Sequence, residues 1–228
     1  MTSLIKGERP YDATGRRAQA EQRRNEVLKS ARALFLERGY ASTTIAAVAA
    51  ASGVSVETVY KTFGGKPGIV RTIFEMSLLG SGPGAAESRS DAAQLAATDS
   101  RALFERLGQL SGEVAPLTAP IVRLIRDAAT GGDISMAALL RDVESKRHER
   151  MLHIAEVVES RGFLRPGLTA DHAADVMWFY TADDVFHNLV MSRGWPLKAY
   201  ERFIAEALIA ALSTSLSPLR VSVEGPCG

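Results

Sequence analysis

The chain has 228 residues, 46% of them hydrophobic, 23% charged and 7% aromatic, a balance that excludes a disordered or fibrous chain. Few aromatics beside abundant alanine favour helix over sheet, because alanine is the best helix former and is depleted from strands. The net charge of +1 hides an asymmetry: residues 1–75 carry 12 Lys+Arg against 7 Asp+Glu, a net +5, leaving 15 against 19, a net −4, for the remainder. Such a division suggests a basic segment facing nucleic acid, joined to a body with another task. The single cysteine, Cys227, can neither close an intrachain disulfide nor anchor a thiolate metal cluster, so a reducing, cytoplasmic setting is expected. Met1–Arg24 is basic and lacks an apolar core, and no apolar run nears the roughly 18 residues of a membrane span. Neither secretion nor a membrane partner is expected.

In chain order, residues 1–20 contain Gly7, Pro10 and Gly15 among basic residues without an apolar stripe, and read as a flexible basic arm. Val27, Ala31, Leu34 and Phe35 then recur at helical spacing, predicting a first helix over 22–38 stopped by Gly39. Hydroxyl N-caps at Ser42–Thr44 lead into a short alanine-rich helix over 45–52, which Gly53 ends. Ser55 is placed to cap a third helix over 56–63; Gly64-Gly65 breaks the chain before Pro67, an early position of a helix over 67–79. Gly80–Gly84 is a break, and further helices are expected near 91–112, 116–129, 135–161, 170–192 and 197–217. No period-2 strand or long repeat is visible, so the fold class is all-α. The expected division is an arm over 1–20, an N-terminal helical domain over 21–75, a larger helical domain over 76–217, and a flexible tail over 218–228.

Thr43–Lys66 carries the chemistry. Two short helices separated by Gly53-Val54-Ser55 meet the requirement of a helix-turn-helix, since glycine permits the reversal and the next apolar residue fills the angle. Val59 and Phe63, four apart, turn inward, leaving Val56, Glu57, Tyr60 and Lys61 for a major groove. Thr44 and Lys66 sit by helix N-termini, whose free N–H groups favour phosphate. The bland alternative is a helical hairpin inside an all-α domain, and Glu57 in a first turn also has the plainer role of compensating the helix dipole.

These residues resemble the TetR family of bacterial transcriptional regulators. The resemblance rests on Phe35 with Gly39-Tyr40, on Thr43-Thr44-Ile45, Ser52-Gly53-Val54-Ser55 and Thr58-Val59-Tyr60, and on Phe63 with Lys66 and Ile69. It covers about Gln22–Glu75, with a weaker echo at Arg193-Gly194-Trp195-Pro196. It implies an all-helical homodimer with an N-terminal DNA-binding domain and a C-terminal domain for effector and dimer contacts. Pro67-Gly68 departs from the family, where an acidic pair usually follows the lysine, so the start of the fourth helix should differ. The DNA-binding set is then Thr44, Ser55, Val56, Glu57, Thr58, Tyr60, Lys61 and Lys66, facing a double-stranded operator.

The body supplies bulky apolar residues, Phe104, Leu107, Leu124, Met151 and Trp178, expected to line a pocket for a small hydrophobic or aromatic effector. Tyr180, Asp183 and His187 fall on one stripe of the 170–192 helix as polar contacts; the plainer reading pairs Asp183 with His187 at i, i+4. That helix is apolar on more than one side, and the last helix has the cleanest stripe, so Val185, Leu189, Ile204 and Leu208 are expected at a homodimer interface. No cofactor, metal or catalytic residue is expected: His148 and His153, five apart, lie about 140° around a helix and cannot share a metal in the usual way. Gly80–Gly84 and Gly65-Lys66 lack the context of a nucleotide loop. The function expected is a ligand-responsive repressor; a helical enzyme and an architectural DNA-binding protein without effector are the alternatives.

Overall fold

The computed structural model describes residues 13–82 and 84–213; the expected tail and Cys227 lie outside them. The chain divides into two compact units, one ending at Thr72 and the other beginning at Ile73.

In the first unit, α1 spans Ala13–Ser42, with its helical run broken at Gly39 (φ 79°, ψ 166°). It is followed by α2 (Ile45–Ser52), α3 (Val56–Phe63) and the start of α4 (Lys66–Ser77). α1 starts earlier than expected: of the arm over 1–20, residues 13–20 are helical and the rest lie outside the described residues. No apolar stripe marks this stretch because its described side chains are solvent-exposed up to Glu26. Arg, Gln, Glu and Ala are nevertheless good helix formers, and from Arg16 to Arg38 there is neither Gly nor Pro, so a helix anchored at Val27 propagates backwards at little cost. Val27, Leu28, Ala31, Phe35, Val48, Val59, Ile69 and Val70 are among the buried apolar residues of this unit, each large side chain contributing about 1.5–3 kcal/mol by leaving water.

The second unit continues α4 and adds α5 (Ala86–Ala96), α6 (Ser100–Thr130), α7 (Ile134–Ser160), α8 (Ala170–Tyr180), a short α9 (Asp183–Phe186) running into a π-helical stretch (His187–Ser192), and α10 (Leu197–Leu212). α6 packs against α10 and α7, and α7 against α8. The 91–112 and 116–129 helices are replaced by α5 and a single α6. Asp99 caps α6, accepting from the N–H of Ala102 at 2.8 Å, and the helix continues through Pro116 and Pro120. An interior proline costs about 3 kcal/mol, and burial of Ile121, Val122, Leu124 and Ile125 just beyond it offsets that cost.

The 170–192 helix is likewise divided. Thr181 donates its hydroxyl to the Met177 carbonyl at 2.7 Å, Ala182 turns extended (φ −62°, ψ 142°) and Asp183-Asp184 start a new helix, the end at which carboxylates are favoured. α10 ends at Leu212, and Ser213 forms an isolated bridge with Leu164. Among the described residues no helix is long and apolar enough to cross a membrane.

Candidate functional site

Local capping chemistry builds the helix-turn-helix. Thr44 caps α2, its hydroxyl oxygen accepting from the Ala47 N–H at 3.1 Å. Buried Thr43 turns the other way and donates to the carbonyls of Gly39 (2.8 Å) and Leu34 (3.2 Å), tying the end of α1 to the start of α2. Gly53 is left-handed (φ 67°), the conformation that reverses the chain here, and its N–H closes α2. Ser55 then caps α3, accepting from the Thr58 N–H at 3.1 Å, with the two hydroxyls 2.8 Å apart.

On α3 only Val59 is buried. Val56 (42% exposed) and Tyr60 (53%) offer apolar surface to solvent beside exposed Glu57, Thr58 and Lys61. An eight-residue helix held by one buried side chain and two caps leaves a contact surface of mixed chemistry, as base edges and phosphates require. Ser55 and Thr58 have part of their hydrogen-bonding capacity engaged in the cap. Lys66 is engaged too: its ammonium donates to the Tyr40 carbonyl at 2.8 Å and lies 4.2 Å from the centre of the Tyr40 ring. The glycine after Pro67 has a packing reason, since a Cβ at Gly68 would lie 1.7 Å from the Phe63 carbonyl oxygen. The end of α3 thus rests directly on the start of α4.

In the second unit, Phe104, Leu107 and Met151 are buried in one core cluster, with Trp178 and Tyr180 packed against it; Leu124 is buried outside that cluster. The break at Ala182 takes Tyr180 out of phase with Asp183 and His187, which stay one turn apart, the His187 N–H donating to the Asp183 carbonyl, while their side chains turn to other partners. Tyr180 meets Phe179 and Phe203 edge to face. Asp183 accepts from the Thr118 hydroxyl at 2.8 Å, and His187 Nε2 lies 2.8 Å from an Arg123 guanidinium nitrogen. The Asp183–His187 pair is therefore replaced by two separate links to α6, with Arg126 joining Asp184 as a third.

Burial pushes the Asp183 carboxyl up to about 6; Thr118 and Arg147 oppose the rise, while Glu144 and Asp184 add to it. Nearby Tyr200 is fully buried with its hydroxyl unpartnered, and burial followed by the Asp183 charge raises its pKa. Trp178 Nε1 is also buried without a partner; Arg147 lies over its ring and donates to its carbonyl at 2.6 Å. Sequence reasoning missed Thr118, Arg147 and Tyr200, because nothing along the chain reveals that α6, α7 and α10 converge on Asp183.

The expected interface also changes. Ile204 and Leu208 are fully buried in the chain's own core, since the α10 stripe packs inward, and Val185 and Leu189 are partly buried against the same core. Exposed apolar surface lies instead at Phe179 (62%), Met191 (62%), Leu197 (39%) and Trp195. Trp195, Pro196, Ala199, Arg202, Phe203 and Glu206 line an open concavity of about 360 Å³, to which none of the expected effector residues contributes. Among the described residues no group of three His, Cys, Asp or Glu side chains is placed to hold a metal ion.

A compact unit of short capped helices, exposing one face of the second helix of a helix-turn-helix, is the architecture of a DNA-binding domain. Residues 27–73 match the family model of the bacterial regulatory proteins, tetR family, so this unit carries the TetR-family signature. The fold extends the likeness over the chain. NalD, the secondary repressor of the MexAB-OprM multidrug efflux pump in Pseudomonas aeruginosa, superposes with a TM-score of 0.67 at 16% identity, over 87% of this chain and 99% of its own. A SmeT–triclosan complex gives 0.67 at 18%, over 91% and 99%. The fatty acid degradation regulator FadR from Bacillus halodurans gives 0.66 at 18%, over 82% and 98%. A comparison with curated protein sequences gave no match.

Proposed function

We propose that the protein is a cytoplasmic transcriptional repressor: a homodimer that binds a palindromic double-stranded operator through α3 and releases it on binding a small hydrophobic or aromatic effector. The observation that carries this reading is the exposed face of α3, held by the Thr44, Gly53 and Ser55 caps inside a TetR-family unit. Val56 and Lys61 read base edges, with Glu57 available to a cytosine amino group; Thr44, Tyr60 and the caps at Ser55 and Thr58 set phosphate contacts. Lys66 adds a phosphate contact with the donors left free by Tyr40.

In the second unit, the effector is held against Phe104, Leu107, Met151 and Trp178 and oriented by Asp183. A partly enclosed carboxyl near the unpartnered buried Tyr200 hydroxyl is costly to the fold and useful to a ligand carrying both donor and acceptor groups, and Trp178 Nε1 is a second buried donor without a partner. The NalD and SmeT likenesses support a repressor that responds to small molecules. Binding shifts the dimer population toward a spacing of recognition helices that no longer fits successive major-groove faces. The dimer forms through Phe179, Met191, Trp195 and Leu197, exposed on the last helices and the turn between them, with Val185 and Leu189 behind them. Selection of duplexes from a random-sequence library by the full chain tests the reading. Enrichment of a palindrome with half-sites about one helical turn apart, lost in Tyr60→Ala/Lys61→Ala, is the expected result; no enrichment overturns it.

A further inference from the structure

α1 begins fourteen residues before Val27, the first buried side chain among the described ones. At about 1.5 Å per residue this is roughly 20 Å of helix without an apolar contact face. Propagation from the anchored turn at Val27 accounts for its being helical, and the side chains it presents to solvent remain to be explained.

At about 100° per residue, Ala13, Arg16, Arg17, Ala20, Arg23 and Arg24 fall within one sector of roughly 120°, while Glu21 and Glu26 fall outside it. Four arginines thus share a face whose only other members are alanines. Arg17 and Arg24, seven apart, make one row, and Arg16 and Arg23 make a second beside it. Glu21 stands at i+4 from Arg17 and i−3 from Arg24, and Glu26 at i+3 from Arg23, so two acids flank four arginines and leave the face net positive.

A second observation fixes the root of this face. The Arg24 guanidinium lies 5.7 Å from the centre of the Phe63 ring, and Phe63 is the last residue of α3, the helix that exposes Val56, Tyr60 and Lys61. The arginine face therefore begins beside the proposed recognition helix and extends away along α1.

We infer that the arginine face of residues 13–24 is a second DNA-contacting surface, which binds the phosphate backbone of duplex flanking the sequence read by α3. Arginine suits this partner because its planar fork pairs with phosphate oxygens and retains its charge. The surface carries no base-reading side chain, so it adds affinity without adding sequence preference. About 20 Å of helix matches roughly six base pairs of duplex, at 3.4 Å each. The inference rests on the reading of α3 as the recognition helix.

The test uses the full chain and one library-selected duplex in two lengths, trimmed to the palindrome and with about ten base pairs restored at each end. Arg16→Ala/Arg17→Ala/Arg23→Ala spares Arg24 and places strong helix formers on a stretch with no packing to lose, so circular dichroism should be unchanged. If each of these arginines reaches one phosphate, a dimer loses six contacts, and the log–log salt slope on the long duplex becomes shallower by about 5. Its affinity should fall at least tenfold, with little change on the trimmed duplex. Equal affinity of variant and wild type on both lengths overturns this inference while leaving the α3 reading intact. Failure of the wild type to select any duplex overturns both, and loss of sequence preference in the variant overturns the backbone-only role.

Discussion

Replacing Asp183 by Asn should make the fold more stable at neutral pH. The Asp183 carboxyl rises from 3.8 to about 6 in the folded chain, first because of burial. At about 1.4 kcal/mol per pKa unit, a rise of roughly two units means that ionised Asp183 costs the fold up to about 3 kcal/mol. The folded state holds the proton more tightly than the unfolded one, so this cost is absent below the unfolded value. It grows as pH rises through the window from about 4 to 6 and is complete above it. Thr118 faces the group from α6, Arg147 and Glu144 from α7, Asp184 from α9 and Tyr200 from α10. Asn keeps an acceptor for the Thr118 hydroxyl and removes the charge, at the expense of an amide that needs its own partners. The gain should reach at most about 3 kcal/mol, or roughly 6–12 °C in Tm for a chain of this size. Thermal melts of both proteins from pH 4 to 8 measure it. The difference should be greatest above pH 7, about half as large at pH 5 and nearly gone at pH 4. A variant less stable than wild type at pH 7.5, or a difference independent of pH, would refute the reasoning. The same variant should bind effectors more weakly, since a carboxylate kept at a cost to the fold is there for a ligand.

Gly68→Ala should destabilise the N-terminal unit by at least 1–3 kcal/mol, the usual cost of overpacking, because its Cβ meets the Phe63 carbonyl 1.7 Å away; denaturant melts and duplex binding should fall together. Lys66→Ala removes a charge-assisted hydrogen bond to Tyr40 as well as a phosphate donor, so a loss of about 1.5–3 kcal/mol in stability should accompany similar weakening on all duplexes. Phe179→Lys/Met191→Glu, both at exposed positions, should give a folded monomer by sedimentation. Leu208→Glu, buried in the core, should instead unfold the chain; a folded monomer from Leu208→Glu would contradict the assignment of the α10 faces.

The helix-turn-helix was legible because its chemistry is local. Thr44, Gly53, Ser55 and Gly64 act on neighbours within a few residues, so each cap is written in contiguous sequence. The faces of α3 followed from spacing alone, since Val59 is its one buried residue. Long-range packing was not legible in the same way. Pro116 reads locally as a helix start, yet burial on either side of it carries α6 through. A single extended residue, Ala182, takes Tyr180 out of phase with Asp183 and His187, and those two, still one turn apart, each find a partner in α6 rather than each other. The α10 stripe was read correctly as apolar, but an apolar stripe does not say whether its own core or a second subunit covers it; for Ile204 and Leu208 it is the core. The helical Ala13–Glu26 stretch was missed because periodicity detects packed faces, whereas its pattern is one of charge.

The most direct test of the central claim is the salt dependence of duplex binding by the wild-type chain and by Tyr60→Ala/Lys61→Ala, measured on the trimmed library-selected palindrome. If the α3 unit of each protomer neutralises about three phosphates, the wild-type log–log slope should lie near −5. The variant should bind at least tenfold more weakly, with a shallower slope and no preference over random sequence. A slope near zero, or a variant that keeps both affinity and preference, would contradict DNA recognition through α3.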